Sequence, residues 1–459
     1  MAFTAGSLVN GFPAIVRNSL ARIRSSGLGD RFARGVFWSV VGTVGARGIT
    51  LVSSIVVARL LGPVGFGEFS AVQSTVGVVL VVAGLGLGIT ATKYVAELRQ
   101  VDPARTARMI ALCGTVALVA GGLIALLLVG LAPTIAARVL AAPQLAPALR
   151  VSALIVIFGT LVSMQAGALA GFEAFDTIAR IRLAIAPPGV VVIILATYFG
   201  GVTGAIAGLG AVQLLNWVVN RRALAVRSHG LGRLRFVWPT ADERRALYTY
   251  SAPSVLNSLV IAITNWVAVA ALVNSKGGYA QMGIFGAANQ WLLALLVLPT
   301  IIGQVIFPHA TRVLKEGYKP ALRLLRHATL ASAAVSIPIV LVGCVLSPVL
   351  MRAYGAGFHD SSATLVVVLV TAGLMAVQTP AIYIVSAAGS MWLLLVTYLM
   401  WSLVFIGMTV GTVQWGALGL ASSRLAAYVV HSIAILLTAR TALRQKSVSR
   451  LASSVETIG

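Results

Sequence analysis

The sequence predicts an all-α polytopic membrane protein with about 12 transmembrane helices, set out as two six-helix lobes. Three observations lead there. Of the 459 residues 59% are hydrophobic and only 10% are charged, with a mean hydropathy of +0.96, which no soluble domain of ordinary composition shows. Twelve apolar runs reach the roughly 20 residues that a helix needs to cross the hydrocarbon core. The halves also echo each other: Gly283-x-Phe285-x-Ala287 repeats Gly67-x-Phe69-x-Ala71 at an offset of about 216 residues, with Gly278 in the place of Gly62.

Residues 1–35 read as a cytoplasmic basic arm, with Leu8, Phe12, Ile15, Val16, Leu20 and Ile23 set among arginines. Both an interfacial amphipathic segment and a disordered tail fit that pattern. The arm lacks the short apolar core and small-residue exit of a cleaved signal, so the first span is expected to stay attached. Residues 36–220 form the expected N-lobe, with runs near 36–57, 69–92, 109–133, 151–170, 181–199 and 202–220. In the first run Thr43, Arg47, Thr50 and Ser54 share one helical face, which should avoid lipid. The Gly62-Pro63-x-Gly65-x-Gly67 cluster marks a tight turn, across which Glu68 is expected to pair with Arg59.

The second run ends in Gly84-Leu85-Gly86-Leu87-Gly88, where missing side chains allow close helix contact or bending. Pro187-Pro188 should kink the fifth span. Gly200, Gly204 and Gly208 form a ladder entering the sixth, and Gly204-Ala205-Ile206 is echoed by Gly416-Ala417-Leu418 at the start of the twelfth. Residues 221–247 are the expected cytoplasmic linker, with seven arginines against Asp242 and Glu243. The C-lobe is read over 248–438, with runs near 248–273, 282–307, 328–350, 363–386, 391–411 and 415–438, and residues 439–459 as a cytoplasmic tail. Helix 7 carries Ser254, Asn257, Ser258 and Asn265, helix 8 Asn289, Gln290 and Gln304, and helix 12 Arg424, Tyr428 and His431.

Most of the 34 basic residues fall in segments that face inward if both termini are cytoplasmic, while the outward segments hold only Arg59, Arg138, Arg150, Lys276 and Arg352. The net charge of +23 is thereby accounted for by topology and anionic lipid, and nucleic-acid binding is not expected. Cys113 and Cys344 lie in apolar runs as packing residues, and no pair of His has metal-ligand spacing, so neither metal nor cofactor is expected.

The 11 acidic residues all fall at helix ends, loops or tails, whereas Arg47 and Arg424 fall inside spans. A charge in the bilayer costs about 2.5–3.5 kcal/mol or more and usually faces a cavity or a partner. With no embedded carboxylate to meet them, these arginines can meet an anion supplied by a substrate. A guanidinium suits that task, because its planar fork holds phosphate oxygens bidentately and stays charged when desolvated. Plainer roles stay open: Arg47 could bond backbone carbonyls, Arg424 could snorkel to the surface, and Lys93 could be an ordinary inner anchor rather than the guard of an entrance. Asn265 and Asn289 could bond neighbouring helices or sugar hydroxyls.

The residues Ala58-Arg59-Leu60-Leu61-Gly62-Pro63, Gly67-x-Phe69-x-Ala71, Gly86-Leu87, Lys93-Tyr94-Val95-Ala96-Glu97, Gly283-x-Phe285-x-Ala287 and Phe307-Pro308 resemble those of the polysaccharide transporter family. These are the lipid-linked oligosaccharide flippases of the multidrug, oligosaccharidyl-lipid and polysaccharide exporter superfamily. The resemblance implies two six-helix lobes around a central cavity that opens alternately to either side, and a polyprenyl-pyrophosphate-linked saccharide as cargo, moved from the inner to the outer leaflet of a bacterial plasma membrane. Arg47, Arg424 and Lys93 would then meet the pyrophosphate, Asn265 and Asn289 the sugars. A polysaccharide polymerase and glycosyltransferases are the candidate partners.

Two other classes compete. An ion-coupled multidrug or metabolite antiporter of the same superfamily should carry an ionisable carboxylate within the membrane, and none is visible. A membrane glycosyltransferase, polymerase or ligase should gather acid and base groups at the outer face, where His359, Asp360 and Glu68 are scattered. No catalytic residue is therefore expected.

Overall fold

The computed structural model describes residues 27–228, 252–297, 299, 310–314 and 316–456. Most of the basic arm, most of the linker, and Gln304, Phe307, Pro308 and His309 lie outside them. Helices α1 (27–61) and α2 (63–84) are two limbs of Gly27–Gly84, broken at Gly62, where φ is 67° and ψ 179°. There follow α3 (Leu87–Leu98), α4 (Pro103–Thr134), α5 (Ala146–Val151) and α6 (Ala153–Gly171). Phe175–Arg227 is broken at Gly201 into α7 (175–200) and α8 (202–227). Then come α9 (Ala252–Val273), α10 (Gly278–Leu295), α11 (Tyr318–Arg352), α12 (Ser362–Ala387), α13 (Met391–Thr412) and α14 (Gly416–Glu456). No strand occurs among the described residues.

Among the described residues eight stretches are long and apolar enough to cross a membrane. Gly42–Gly84, Phe175–Arg227 and Met391–Arg444 run to 43, 53 and 54 residues, at about 1.5 Å per residue roughly two to three times the thickness of a hydrocarbon core, and each is interrupted near its middle. The limbs correspond to the twelve apolar runs one for one, the eighth run lying partly outside the described residues. The protein is a polytopic all-α membrane protein. Two limits move: α8 continues to Arg227, into the segment read as linker, and α14 continues to Glu456, through most of the segment read as tail.

The breaks are glycines in conformations other residues avoid. At Gly201 the chain reverses so tightly that a Cβ on Gly204 would overlap the Ala196 carbonyl. Gly416 and Gly419 repeat that reversal against Thr412. The correspondence is thus Gly201 with Gly416 and Gly204 with Gly419, three residues away from the sequence pairing of Gly204 with Gly416. Pro187 and Pro188 do not break their helix. The residues around them keep helical dihedrals, and the only non-helical residue in that run is Gly201, as spans tolerate where neighbours re-satisfy the freed carbonyls. The second span does break where its glycines fall, with Leu85 at φ 44° and Gly86 at φ 67°.

The helices assemble around one large buried cluster drawn from both halves, flanked by a cluster within 87–224 and another within 310–443. At the end of the bundle that holds Gly62 the halves meet closely. Phe66 lies 6.3 Å from Tyr354 and 6.4 Å from Phe358 between ring centroids. Small residues make the approach possible, as they do where apolar burial drives no helix association: a Cβ at Gly67 would run into the Tyr279 carbonyl, one at Gly283 into that of Pro63. Arg59 Nε donates to the Ala353 carbonyl at 2.6 Å, Asn274 to that of Val139 at 2.8 Å, and the Tyr279 hydroxyl to that of Leu140 at 2.6 Å. Glu68 does not pair with Arg59. It accepts from Gln144 Nε2 at 2.9 Å, because the turn at Gly62 sends Arg59 toward the other half.

The opposite end carries Lys93 and the acidic residues that cap helices. Asp102 accepts from the Arg105 amide at 2.8 Å to begin α4. Arg99 bonds Glu173 at 2.6 Å across α3 and the α6–α7 turn, but Glu173 is 71% exposed, which keeps the gain small.

Candidate functional site

The polar face expected on α1 exists, and each of its members has a definite neighbour. Thr43 accepts from Arg182 Nη1 of α7 at 3.2 Å. One turn on, Arg47 reaches the other half of the molecule, where its Nη2 lies 3.2 Å from Gln290 Oε1 and 3.4 Å from the Gln290 carbonyl on α10. Thr50 returns its hydroxyl to the Ala46 carbonyl at 2.8 Å. Ser54, Arg47 and Trp291 all lie near the Tyr354 hydroxyl. The α1 backbone can pack closely on α7 because Gly42 and Gly45 face Ala179 and Leu183.

The second intramembrane arginine is engaged more fully. Arg424 on α14 is 9% exposed. It donates from Nη1 to Asn289 Oδ1 and from Nη2 to Asn265 Oδ1, both at 2.8 Å, so three helices are tied at one point. Its guanidinium also stands 5.2 Å from the centre of the Phe285 ring. Asn265 in turn donates to the Ile261 carbonyl one turn back.

Three of the five residues singled out from the sequence, Arg424, Asn265 and Asn289, therefore meet directly. Arg47 joins them through the adjacent residue, Gln290. Lys93 does not. It sits on α3 with its ammonium 5.6 Å from the Tyr94 ring, toward the other end of the bundle. The amide oxygens of Asn265 and Asn289 are both turned to Arg424, the helix-bonding role that polar residues take within membranes.

The site contains no counter-charge. Among the described residues neither Arg47 nor Arg424 forms an ion pair, and the Nε atoms of both are buried without an acceptor. Buried guanidinium groups served only by neutral amides keep much of their attraction for an anion. No group of three or more His, Cys, Asp or Glu that could hold a metal stands among the described residues. Cys113 and Cys344 are free thiols. His431 is fully buried, bonded through Nδ1 to Gln378 Oε1 at 3.0 Å and stacked on Tyr398 at 4.7 Å.

Toward the Lys93 end a cavity of about 540 Å³ opens between α2, α3, α6, α8 and the start of α9. Its wall is uncharged and mainly apolar, with Leu80, Leu87, Ile89 and Val255 and the glycines of the α2–α3 break, and its polar groups come from Thr92, Thr160, Ser163, Gln213 and Ser258.

Sequence reading missed Arg182 and Gln290 for different reasons. Arg182 was assigned to a cytoplasmic segment, since the fifth apolar run starts near it, but α7 begins at Phe175 and carries it alongside α1. Gln290 was one polar residue among several on helix 8, and only the packing of α1 against α10 singles it out.

Among characterised proteins, the chain is 24% identical over 180 residues to the EPS I polysaccharide export inner membrane protein EpsE of Ralstonia nicotianae, covering 38% of this chain. The protein of Ralstonia solanacearum with the same name is 23% identical over 192 residues. The chain matches about two fifths of the length of these relatives, 41% and 44%. In fold it is similar to an inward-facing multidrug resistance MATE family transporter of the MOP superfamily, with a TM-score of 0.71 at 16% identity over 90% of this chain and 96% of that one. A mutant of the Vibrio cholerae MATE transporter VcmN gives 0.68 at 17% identity, over 93% and 98% of the two chains. The family model described as polysaccharide biosynthesis protein matches residues 32–314, which takes in Arg47, Lys93, Arg182, Asn265, Asn289 and Gln290. The chain belongs to the polysaccharide biosynthesis protein family.

Proposed function

We propose that this protein is a flippase, without enzymatic activity, that carries a polyprenyl-pyrophosphate-linked oligosaccharide across the bacterial inner membrane for the synthesis of a cell-surface polysaccharide. Two lobes, 36–220 and 248–438, rock about the central site, with both termini cytoplasmic. The observation that carries this reading is the pair of arginines, Arg47 of α1 and Arg424 of α14, bonded without a carboxylate to the adjacent α10 residues Gln290 and Asn289. It is supported by the family and by the polysaccharide export role in the names of the Ralstonia relatives.

Positive-inside bias supports an outward Gly62 end and an inward Lys93 end, and on that reading the closely packed Gly62 end corresponds to a closed outer gate. The cargo enters from the cytoplasmic side. Lys93 and Arg182 draw the pyrophosphate inward, and Arg47 takes it, while the lipid tail stays in the bilayer. Fixed cations replace the water that the headgroup leaves, sparing it the cost of crossing hydrocarbon as a bare anion. Uncharged hydroxyls and amides of the inner cavity, Ser163, Gln213 and Ser258, can bond sugars. Polymerase and glycosyltransferases that make and consume the cargo are the expected partners.

The MATE-like fold keeps one alternative in view, an ion-coupled antiporter for drugs or metabolites. Proteoliposomes separate the two. Flippase activity predicts transfer of a fluorescent polyprenyl-pyrophosphate oligosaccharide between leaflets, lost in Arg47→Ala and partly kept in Arg47→Lys, which retains charge without the bidentate fork. Drug efflux driven by a proton or sodium gradient, with no transfer of the lipid, would overturn the proposal.

A further inference from the structure

The two buried arginines are held unequally. Arg424 makes two bonds of 2.8 Å to two different amides and faces an aromatic ring. Arg47 shares a single nitrogen, Nη2, between two oxygens of one residue at 3.2 and 3.4 Å, while the Nε of each arginine is buried without an acceptor. Bonds from a guanidinium to an ionised oxygen run at about 2.7–2.9 Å and are about twice as strong as neutral ones. Arg424 is braced in place, whereas Arg47 is loosely occupied by a neutral group.

The Arg47 contact also joins the halves. Arg47 lies on α1 and Gln290 on α10, the helix whose glycines pack against α2 at the Gly62 end, where Gly283 meets Pro63 and Gly286 meets Ser70. Breaking that contact removes a bond that joins the halves as they stand closed there.

Resting on the reading of the protein as a transporter of an anionic lipid, we infer that Gln290 is a stand-in ligand and latch. It holds Arg47 in the empty protein, and the phosphate oxygens of the cargo displace it, releasing α1 from α10 and favouring opening of the Gly62 end. A ligand shifts such an equilibrium only through its different affinities for the two states. Here the difference arises because the anion and Gln290 compete for one guanidinium. Arg424, bonded at 2.8 Å to both Asn265 and Asn289, keeps α10 in position while Arg47 changes partner.

The test uses the full chain with Cys113 and Cys344 replaced by Ser, and inorganic pyrophosphate as the probe. Gln290→Met keeps the bulk and removes the side-chain acceptor; Gln290→Glu supplies a permanent carboxylate to Arg47. Binding of pyrophosphate should tighten several-fold in Gln290→Met and weaken by at least about tenfold in Gln290→Glu, since a fixed charge-assisted bond must then be displaced. A cysteine introduced by Ser70→Cys reports on the Gly62 end through an impermeant maleimide. In the parent, labelling should rise on addition of pyrophosphate. In Gln290→Met it should be raised beforehand, and in Gln290→Glu it should stay low throughout.

If the parent binds pyrophosphate and transports the lipid while both variants match it in affinity and labelling, the latch is wrong and the transport reading stands. If the parent neither binds pyrophosphate nor transports the lipid, both are wrong.

Discussion

Gly201 and Gly416 turn the chain through nearly the same dihedral angles, φ 53° and ψ −136° at the first, φ 64° and ψ −137° at the second. The two lie at equivalent places in the halves, each opening the last helix of its half. At these angles a side chain is strained whatever space surrounds it, by about 1–3 kcal/mol. Nothing lies within 4 Å of a Cβ at Gly201, while one at Gly416 would strike the Gln281 side chain, whose Oε1 also accepts from the Ala417 amide at 2.9 Å. Gly201→Ala should therefore lower the melting temperature of the purified protein through backbone strain alone, and Gly416→Ala should lower it further. Equal melting of all three proteins would remove the strain.

A second expectation concerns the Gly62 end. Gly67 and Gly283 pass so near Tyr279 and Pro63 that Val at either position cannot be accommodated without parting the halves. Gly67→Val and Gly283→Val should insert normally, lose lipid transfer, and leave a cysteine introduced by Ser70→Cys constantly open to maleimide. Transport at the parental rate by either variant would show that this end need not close as tightly as it does here.

Much of this was legible in the sequence, because membrane crossing imposes its own pattern. Apolar runs of fixed length revealed the spans, and the spacing of Thr43, Arg47, Thr50 and Ser54 revealed a polar face. What stayed hidden depends on packing between distant segments. No periodicity says that Arg424 would close on Asn265 and Asn289, or that Arg47 would find Gln290, since each pair joins helices far apart in the chain. The internal repeat was visible, but its register near the sixth and twelfth helices was off by three residues. Gly-Ala-x matches are loose, whereas the positive dihedrals of Gly201 and Gly416 fix the alignment.

Arg182 gives a third prediction. It stands one turn from Arg47 along α1, bonded to Thr43 on the side away from the Gly62 end, and so lies on the path of an anion coming from the Lys93 end. Arg182→Ala should raise the lipid concentration that half-saturates transport more than it lowers the maximal rate, with Arg182→Lys between the two. Thr43→Val should give a weaker form of the same change. A fall confined to the maximal rate would place Arg182 outside the capture step.

The last prediction separates the two intramembrane arginines. Removing Arg424 leaves the amide oxygens of Asn265 and Asn289 without their donor in a site where Arg424 itself is only 9% exposed. A buried polar group left unsatisfied costs about 1–3 kcal/mol, so Arg424→Met should lower the melting temperature markedly and reduce transport with it. Arg47 makes only long bonds to Gln290, and its loss strands one amide oxygen that the part-buried site can hydrate. Arg47→Met should therefore melt close to the parent and yet transport little or nothing. Asn265→Leu and Asn289→Leu should follow Arg424→Met, each leaving part of a buried guanidinium without an acceptor, and the double variant should cost less than the sum of the singles because the three residues form one network. Thermal melts and lipid transfer measured on the same preparations decide it. If Arg47→Met melted as low as Arg424→Met, Arg47 would be a brace like Arg424, and the substrate anion would have to be sought elsewhere in the bundle.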